Sequence, residues 1–108
     1  MSFIDDANQV LNALEAKISL VKDEDLKNQP GSTTNFSKCK EQYYFLNGVL
    51  QNQKLETILE KLKGNESGFN AGIKNLNSII QTVDNGLGFL GVVDRVVSIL
   101  ARITSFFI

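Results

Sequence analysis

Side chains that could do chemistry are few in this sequence, and their spacing matches none of the common reactive sites. The chain has no histidine, which removes the commonest residue of metal sites, Ser-His triads and acid–base catalysis. Cys39 is the only cysteine, so an internal disulfide and a cysteine-rich metal site are excluded. Its place in the spacing of apolar residues predicts a buried position on a helix. We therefore expect a protein that is not an enzyme.

Carboxylates cluster at two places, Asp5-Asp6 and Asp23–Asp25. The first pair suits the N-terminus of a helix, where the helix dipole favours negative charge. The second run comes near the predicted end of the same helix among lysines, as is typical of a solvent-exposed terminus. Neither has the ligand and glycine spacing of an EF-hand loop. The sequence therefore predicts no metal site and no catalytic carboxylate pair.

One segment, Gly86–Gly91, has the glycine pattern of a dinucleotide-binding loop. Such a loop needs a strand before it and an acidic residue about 20 positions after it. The residues before Gly86 have helical spacing instead, and no acidic residue follows Asp94. We expect neither a nucleotide nor any other cofactor.

The charge balance argues against nucleic acid as a partner. Eleven basic residues stand against twelve acidic ones, and the formal net charge is −1, which creates no strong positive field. The N-terminus carries Asp5 and Asp6 where a secretory signal would have a basic flank and an apolar run. Together with the lone cysteine, this predicts a cytoplasmic protein.

Apolar residues recur at alternating intervals of three and four along nearly the whole chain, which is typical of α-helices. No segment alternates with a period of two, so strands are not expected. Pro30-Gly31, Gly64 and Asn85-Gly86 interrupt the pattern. The sequence therefore predicts an all-α fold, an up-down-up-down four-helix bundle that forms a single helical domain over residues 1–108. The predicted helices cover roughly residues 3–27, 37–63, 67–84 and 88–107.

Two positions in the second predicted helix are distinctive. Ser37 is expected to cap its N-terminus, because a serine hydroxyl accepts hydrogen bonds from the free amide groups of a first turn. The register of apolar residues shifts after Leu50, beside the polar run Gln51–Gln53. This shift predicts a bend or a loosened turn at that run.

The predicted C-terminal helix is more apolar than the outside of a small bundle requires. Its polar residues fall within an arc of about 100–120°, whereas an outer helix needs an apolar stripe only about 100–140° wide. Three explanations remain open: the helix is central in the bundle, it contacts another protein chain, or it lies on a membrane. The residues predicted to contact a partner or a membrane are Phe89, Val93, Val96, Leu100, Ile103, Phe106 and Phe107.

The polar strip of this helix contains Asp94, Arg95 and Arg102. The two arginines are the only ones in the chain, and a guanidinium pairs with carboxylates better than a lysine ammonium does. Two interpretations remain open: the arginines pair with acidic groups on a partner, or the strip simply faces water while the arginine stems cover apolar surface. A membrane-spanning helix is disfavoured, because all three charges fall inside the one long apolar window.

Six of the eight glycines lie between residues 64 and 91, and we predict that they form a hinge. They are Gly64, Gly68, Gly72, Gly86, Gly88 and Gly91. The first three recur every four residues, which either gives the third helix a smooth face that another backbone can approach or weakens its first turn. A weak turn would let the C-terminal helix detach from the other helices.

These features favour a function in binding. We expect a small helical-bundle protein that acts by protein–protein interaction, as a homo-oligomer or an accessory subunit, through its apolar C-terminal helix. The alternative is a membrane-active protein, toxin-like or membrane-remodelling, whose amphipathic segment 87–108 is released to a bilayer. A third interpretation is structural only, with the last helix forming the core of a monomer.

Overall fold

The computed structural model describes residues 3–108, and all regular structure in that part of the chain is helical. The predicted all-α fold is therefore confirmed, but the predicted number of four helices is wrong. The elements are α1 (Phe3–Ile18), α2 (Asp23–Asn28), a 3₁₀ turn (Pro30–Ser32), α3 (Thr33–Asn52), α4 (Leu55–Leu62), α5 (Glu66–Ile80) and α6 (Gly86–Ser105).

The first predicted helix, 3–27, is in fact two helices, because the chain turns after Ile18. A local hydrogen bond starts α2: the backbone N–H of Lys22 donates to Oδ2 of Asp25 at 2.9 Å. The acidic run Asp23–Asp25 consequently lies in the first turn of α2 and not at the end of a longer helix. At that position its negative charge stabilises the helix dipole.

The second predicted helix, 37–63, begins earlier than expected and is divided. α3 starts at Thr33, directly after the 3₁₀ turn, and Pro30 occupies the first position of that turn with a φ angle suited to helical geometry. Ser37 is therefore an exposed residue inside α3 and does not cap it. The bend expected at Gln51–Gln53 is a complete break: α3 ends inside this run, at Asn52, and α4 begins at Leu55.

α6 is the central helix of the structure and contacts α1, α2, α3 and α5. Two aromatic pairs anchor it to its neighbours edge to face. The ring centroids of Phe36 and Phe89 are 6.2 Å apart, and those of Phe69 and Phe107 are 5.8 Å apart. Because these neighbours cover most of α6, only one face of the helix remains in contact with solvent.

Polar side chains join the helices around α6. The Tyr43 hydroxyl donates to Oε2 of Glu15 at 2.9 Å, which links α3 to α1. The Lys17 Nζ donates to the backbone oxygen of Val83 at 2.6 Å, which links α1 to the loop before α6. These bonds hold the surroundings of α6 in place.

Candidate functional site

The apolar side chains of α6 point into the protein core. Of the seven residues predicted to contact a partner or a membrane, Phe89, Val93, Val96, Leu100, Ile103 and Phe107 are buried and Phe106 is half-buried. In this conformation they contact the other helices of the same chain and are not free to contact a partner. Of the three explanations for the wide apolar arc, the central position in the bundle describes this arrangement.

The polar strip of α6 lies on the opposite side, exposed to solvent. We call this surface the outer face of α6; it consists of Leu87, Gly91, Asp94, Arg95, Ser98, Ala101, Arg102, Ser105 and Ile108, all of which are exposed. Two of its hydroxyl groups donate hydrogen bonds to backbone oxygens of α6 itself. Ser98 donates to the backbone oxygen of Asp94 at 3.1 Å, and Ser105 donates to that of Arg102 at 2.6 Å. Both hydroxyls are therefore bonded within α6.

A shallow groove borders the outer face on each side. On the α5 side, the groove has a volume of about 200 Å³. Its lining is Gly72, Asn75, Ser98, Ile99 and Arg102. On the α3 side, a groove of about 190 Å³ is lined by Glu41, Gln42, Phe45, Thr104 and Ile108. Both are smaller than the pockets that enclose small-molecule ligands, about 300–1,000 Å³, and each has room for a side chain or two.

Exposed apolar side chains border the outer face. Phe45 is 41% exposed on the α3 side, and Ile108 is 96% exposed at one end. Leu87, at the other end, is 40% exposed. The exposed apolar side chains of Leu87 and Ile108 thus lie at opposite ends of the outer face, and Phe45 lies beside it near Ile108.

Gly68 and Gly72 allow α5 and α6 to approach closely. A Cβ added to Gly72 would lie 2.7 Å from Cγ1 of Ile103, and one added to Gly68 would lie 3.2 Å from the Phe106 ring. These two glycines thus give α5 a smooth face against α6, which is the first of the two interpretations of their spacing.

The other glycines of the proposed hinge have different surroundings. Gly86 is buried where α6 begins, beside the backbone of Leu20 and Val21. Gly64 follows α4 with a φ of +83°, a conformation that glycine adopts without strain. Gly88 and Gly91 are exposed in the first two turns of α6.

The titratable groups in the core are held neutral. Burial raises the pKa of the Cys39 thiol to about 12. Burial, together with the hydrogen bond to Glu15, also raises the pKa of Tyr43 to about 12. Within residues 3–108, no three His, Cys, Asp or Glu side chains come together in a group that could hold a metal ion. The thiol of Cys39 and the phenol of Tyr43 are therefore protonated at neutral pH.

A larger surface depression lies elsewhere, between α1 and α5. It has a volume of about 480 Å³ and a mixed polar lining of Asp6, Gln9, Val10, Asn70, Ile73, Lys74 and Asn77. In the described part of the chain, the buried side-chain acceptors without a hydrogen-bond partner are Oε1 of Gln42 and Oε1 of Gln53. Neither lines this depression, so nothing in it requires a ligand.

The chain matches no protein-family model, no curated protein and no solved structure. Among the described residues, no helix has both the length and the apolar character needed to cross a bilayer.

The charged residues of the outer face, Asp94, Arg95 and Arg102, were predicted from the sequence as a polar strip, whereas the exposed ring of Phe45 beside them was not. Phe45 directly follows Tyr44 and lies between the buried seam residues Tyr43 and Leu46. An aromatic residue at such an off-seam position is the signal that predicts an exposed ring. Leu87 and Ile108, which lie at the two ends of the exposed strip, were not among the predicted contact residues.

Proposed function

We propose that this is a non-enzymatic, cytoplasmic helical protein that acts by binding another protein chain, as a homo-oligomer or as an accessory subunit. The contact is made by the C-terminal helix, through its outer face and not through its apolar arc. We further propose that α1, α3, α5 and α6 alternate in direction as an up-down-up-down bundle, because this order leaves one face of α6 uncovered. The observation that carries the proposal is the exposed outer face, which has apolar side chains at both ends.

The dimensions of this face suit a protein contact. From Leu87 to Ser105 the helix advances 18 residues, which corresponds to about 27 Å at 1.5 Å per helical residue. A helix face of that length, together with the grooves beside it, can contribute to a standard interface, which buries roughly 800 Å² per partner. The grooves are too small for a substrate but suitable for side chains from a partner.

A photo-cross-linking amino acid tests the proposal in living cells. It replaces Arg95, at the edge of the outer face, and in a control variant Ala16, an exposed residue of α1. We expect an adduct from position 95 and none from position 16. An adduct of twice 12.0 kDa indicates a homo-oligomer, and any other protein adduct indicates an accessory subunit. Equal yields from both positions, or none from position 95, would contradict the proposal.

The membrane-active alternative requires α6 to leave the core. Six of its predicted contact residues are buried, and exposing each large apolar side chain costs about 1.5–3 kcal/mol. The sum, roughly 9–18 kcal/mol, is comparable to the whole stability of a small domain, about 5–15 kcal/mol. Release of α6 would therefore amount to global unfolding, which makes this function the weaker candidate.

Vesicle flotation tests the membrane alternative directly. The full chain is mixed with anionic phospholipid vesicles and with neutral ones, because an interfacial helix with two arginines favours anionic headgroups. We expect the protein to remain with the unbound fraction in both cases. Flotation together with a loss of near-ultraviolet circular dichroism would favour the membrane-active function over the protein contact.

A further inference from the structure

We infer that Asn85 is a site of spontaneous deamidation, in which the backbone nitrogen of Gly86 attacks the Asn85 side chain and converts it to aspartate or isoaspartate. The inference goes beyond the proposed function, because the reaction needs water and no partner protein. Three observations carry it: the Asn85-Gly86 sequence, the position of this pair at the start of α6, and the exposure of Asn85 to solvent. A second pair of the same sequence, Asn47-Gly48, lies inside α3 and serves as an internal control.

The reaction proceeds in two steps. First, the Gly86 nitrogen gives up its proton and forms a bond to Cγ of Asn85, while the bond between Cγ and Nδ2 breaks. Ammonia leaves, and a cyclic succinimide remains. Water then adds to one of the two imide carbonyls: ring opening at Cγ gives aspartate, and ring opening at the main-chain carbonyl gives isoaspartate, whose backbone is one methylene longer. Glycine favours the attack because it has no side chain that obstructs its own nitrogen.

The start of α6 stabilises the negative charge that the attack creates. The side-chain oxygen of Asn85 accepts a hydrogen bond at 2.7 Å from the backbone N–H of Gly88. A donor in this position stabilises the charge that develops on a carbonyl oxygen when a nucleophile adds to it. The N-terminus of a helix also favours negative charge, which assists loss of the proton from the Gly86 nitrogen. The cap therefore holds the reacting carboxamide over the first turn of α6 in a setting that suits the reaction.

The nitrogen of Gly86 has no helical hydrogen bond to break, whereas that of Gly48 does. Gly86 is the first residue of α6, and the first N–H groups of a helix have no acceptor in a preceding turn. Gly48 lies in the interior of α3, where its N–H donates to the oxygen of Tyr44, four residues earlier. Asn85 is exposed and Asn47 is half-buried. Because the end of a helix opens more readily than its middle, we expect the reaction at Asn85 to be the faster one.

The two products differ in their effect on α6. Aspartate retains an oxygen that accepts the bond from Gly88, and its charge suits the N-terminus of the helix. Isoaspartate lengthens the main chain directly before Gly86, where an added Cβ would lie only 2.6 Å from the backbone oxygen of Leu20. The longer chain does not fit both the cap and this close contact. Formation of isoaspartate therefore loosens the start of α6, whereas formation of aspartate leaves it in place.

Peptide mapping by mass spectrometry tests the site. The full chain is aged folded in mildly alkaline buffer and, in parallel, unfolded in urea, until half of each Asn-Gly pair has reacted in urea. In the folded chain we expect about tenfold more conversion at Asn85 than at Asn47, a ratio that corresponds to about 1.4 kcal/mol in the free energy of local opening. In urea the two rates should be similar, because glycine follows both residues. A folded ratio no greater than the ratio in urea, or no conversion at Asn85 in the folded chain, would overturn the inference.

Limited proteolysis of the aged protein tests the two products. Each conversion changes the formal net charge from −1 to −2, so anion exchange separates converted from unconverted chains. We expect the protease to digest the isoaspartate form first and to leave the aspartate form intact. Asn85→Asp is the matched variant: it carries the aspartate product from the outset and should gain no protease-sensitive fraction under the same ageing. Digested and intact chains with equal proportions of the two products would overturn the predicted loosening of α6.

Discussion

The contact between the start of α6 and the link that joins α1 to α2 gives a sharp test of the fold. Gly86 is the first residue of α6, and a Cβ added there would lie 2.6 Å from the backbone oxygen of Leu20 and 2.9 Å from Cα of Val21. It would also collide with a carboxylate oxygen of Asp25. Because two of these atoms belong to backbone, a Gly86→Ala substitution forces the link or α6 to move.

The expected size of the effect follows from two opposing contributions. Alanine favours a helix over glycine by up to about 1 kcal/mol, whereas overfilling a well-packed site usually costs 1–3 kcal/mol. We expect the clash to prevail and the free energy of unfolding to fall by about 1–2 kcal/mol. In a chain of this size, this is a loss of roughly 4–8 °C in melting temperature for each kcal/mol.

Gly48→Ala in α3 is the matched control, because its Cβ would meet only the flexible side chain of Asn52, at 3.9 Å, among the described residues. This variant should gain about 0.5–1 kcal/mol. Urea denaturation followed by circular dichroism measures both changes. A Gly86→Ala variant as stable as the wild type, beside a stabilised Gly48→Ala, would refute the close contact and restore the hinge as the better description of this junction.

Three further predictions concern polar groups and the thiol. Asn85→Ala should lower the free energy of unfolding by about 1 kcal/mol, because the Asn85 side chain accepts a hydrogen bond at 2.7 Å from the backbone N–H of Gly88 in the first turn of α6. Thermal melting measures this loss. The control variant Asn85→Asp should retain most of the stability, because aspartate can accept the same hydrogen bond. The buried Cys39 thiol has a pKa of about 12, so its reaction with iodoacetamide at pH 8 should be limited by the rate at which the protein unfolds around it. Rapid labelling of the native protein would contradict this. Tyr43→Phe should cost about 0.5–1.5 kcal/mol at neutral pH, because it removes the bond to Glu15. The phenol pKa rises from 10.0 to about 12 on folding, so the neutral phenol contributes stability that is fully present below pH 10 and is lost as the pH rises towards 12. That decline should be weaker in Tyr43→Phe than in the control variant Tyr44→Phe.

The helical class was predictable because burial of one helix face imposes its spacing on the sequence. Ala7, Leu11 and Leu14 are fully buried along α1, as the intervals of three and four require. The same spacing continues past the end of α1 at Ile18, so the break between α1 and α2 could not be predicted from it. Val21 keeps the interval and is half-buried, since a residue just beyond a helix end can still enter the same core.

The start of α3 was misplaced for a related reason. Pro30 was interpreted as an interruption of the helical pattern. Proline nevertheless suits the first position of a helical turn, where no backbone N–H donor is needed. The decisive information was geometric: the 3₁₀ turn Pro30–Ser32 leads directly into Thr33. Local sequence could not distinguish a proline that ends one helix from one that starts the next.

The orientation of α6 was beyond sequence analysis because a core and an interface select the same residues. Leu100 and Ile103 would be suitable in either environment, and only the positions of α1, α3 and α5 show that they are internal. Once that arc is covered by the chain itself, a partner can meet α6 only through the outer face. The contact surface that we propose therefore consists of some of the smallest residues of the chain and not of its most apolar ones.

The composition of the outer face is the reason to expect that it is covered. Exposed helix positions are stabilised by good helix formers, whereas Gly91, Ser98 and Ser105 each cost about 0.5–1 kcal/mol relative to alanine. Ser98→Lys separates the two possibilities. In a solitary chain it should gain a few tenths of a kcal/mol, but on a face covered by a partner it places a charged side chain inside the contact and should abolish association measured by sedimentation. The matched control is Ser78→Lys, at an exposed position of α5, which should leave association unchanged. Association that persists in Ser98→Lys would mean that solvent is the only neighbour of this face.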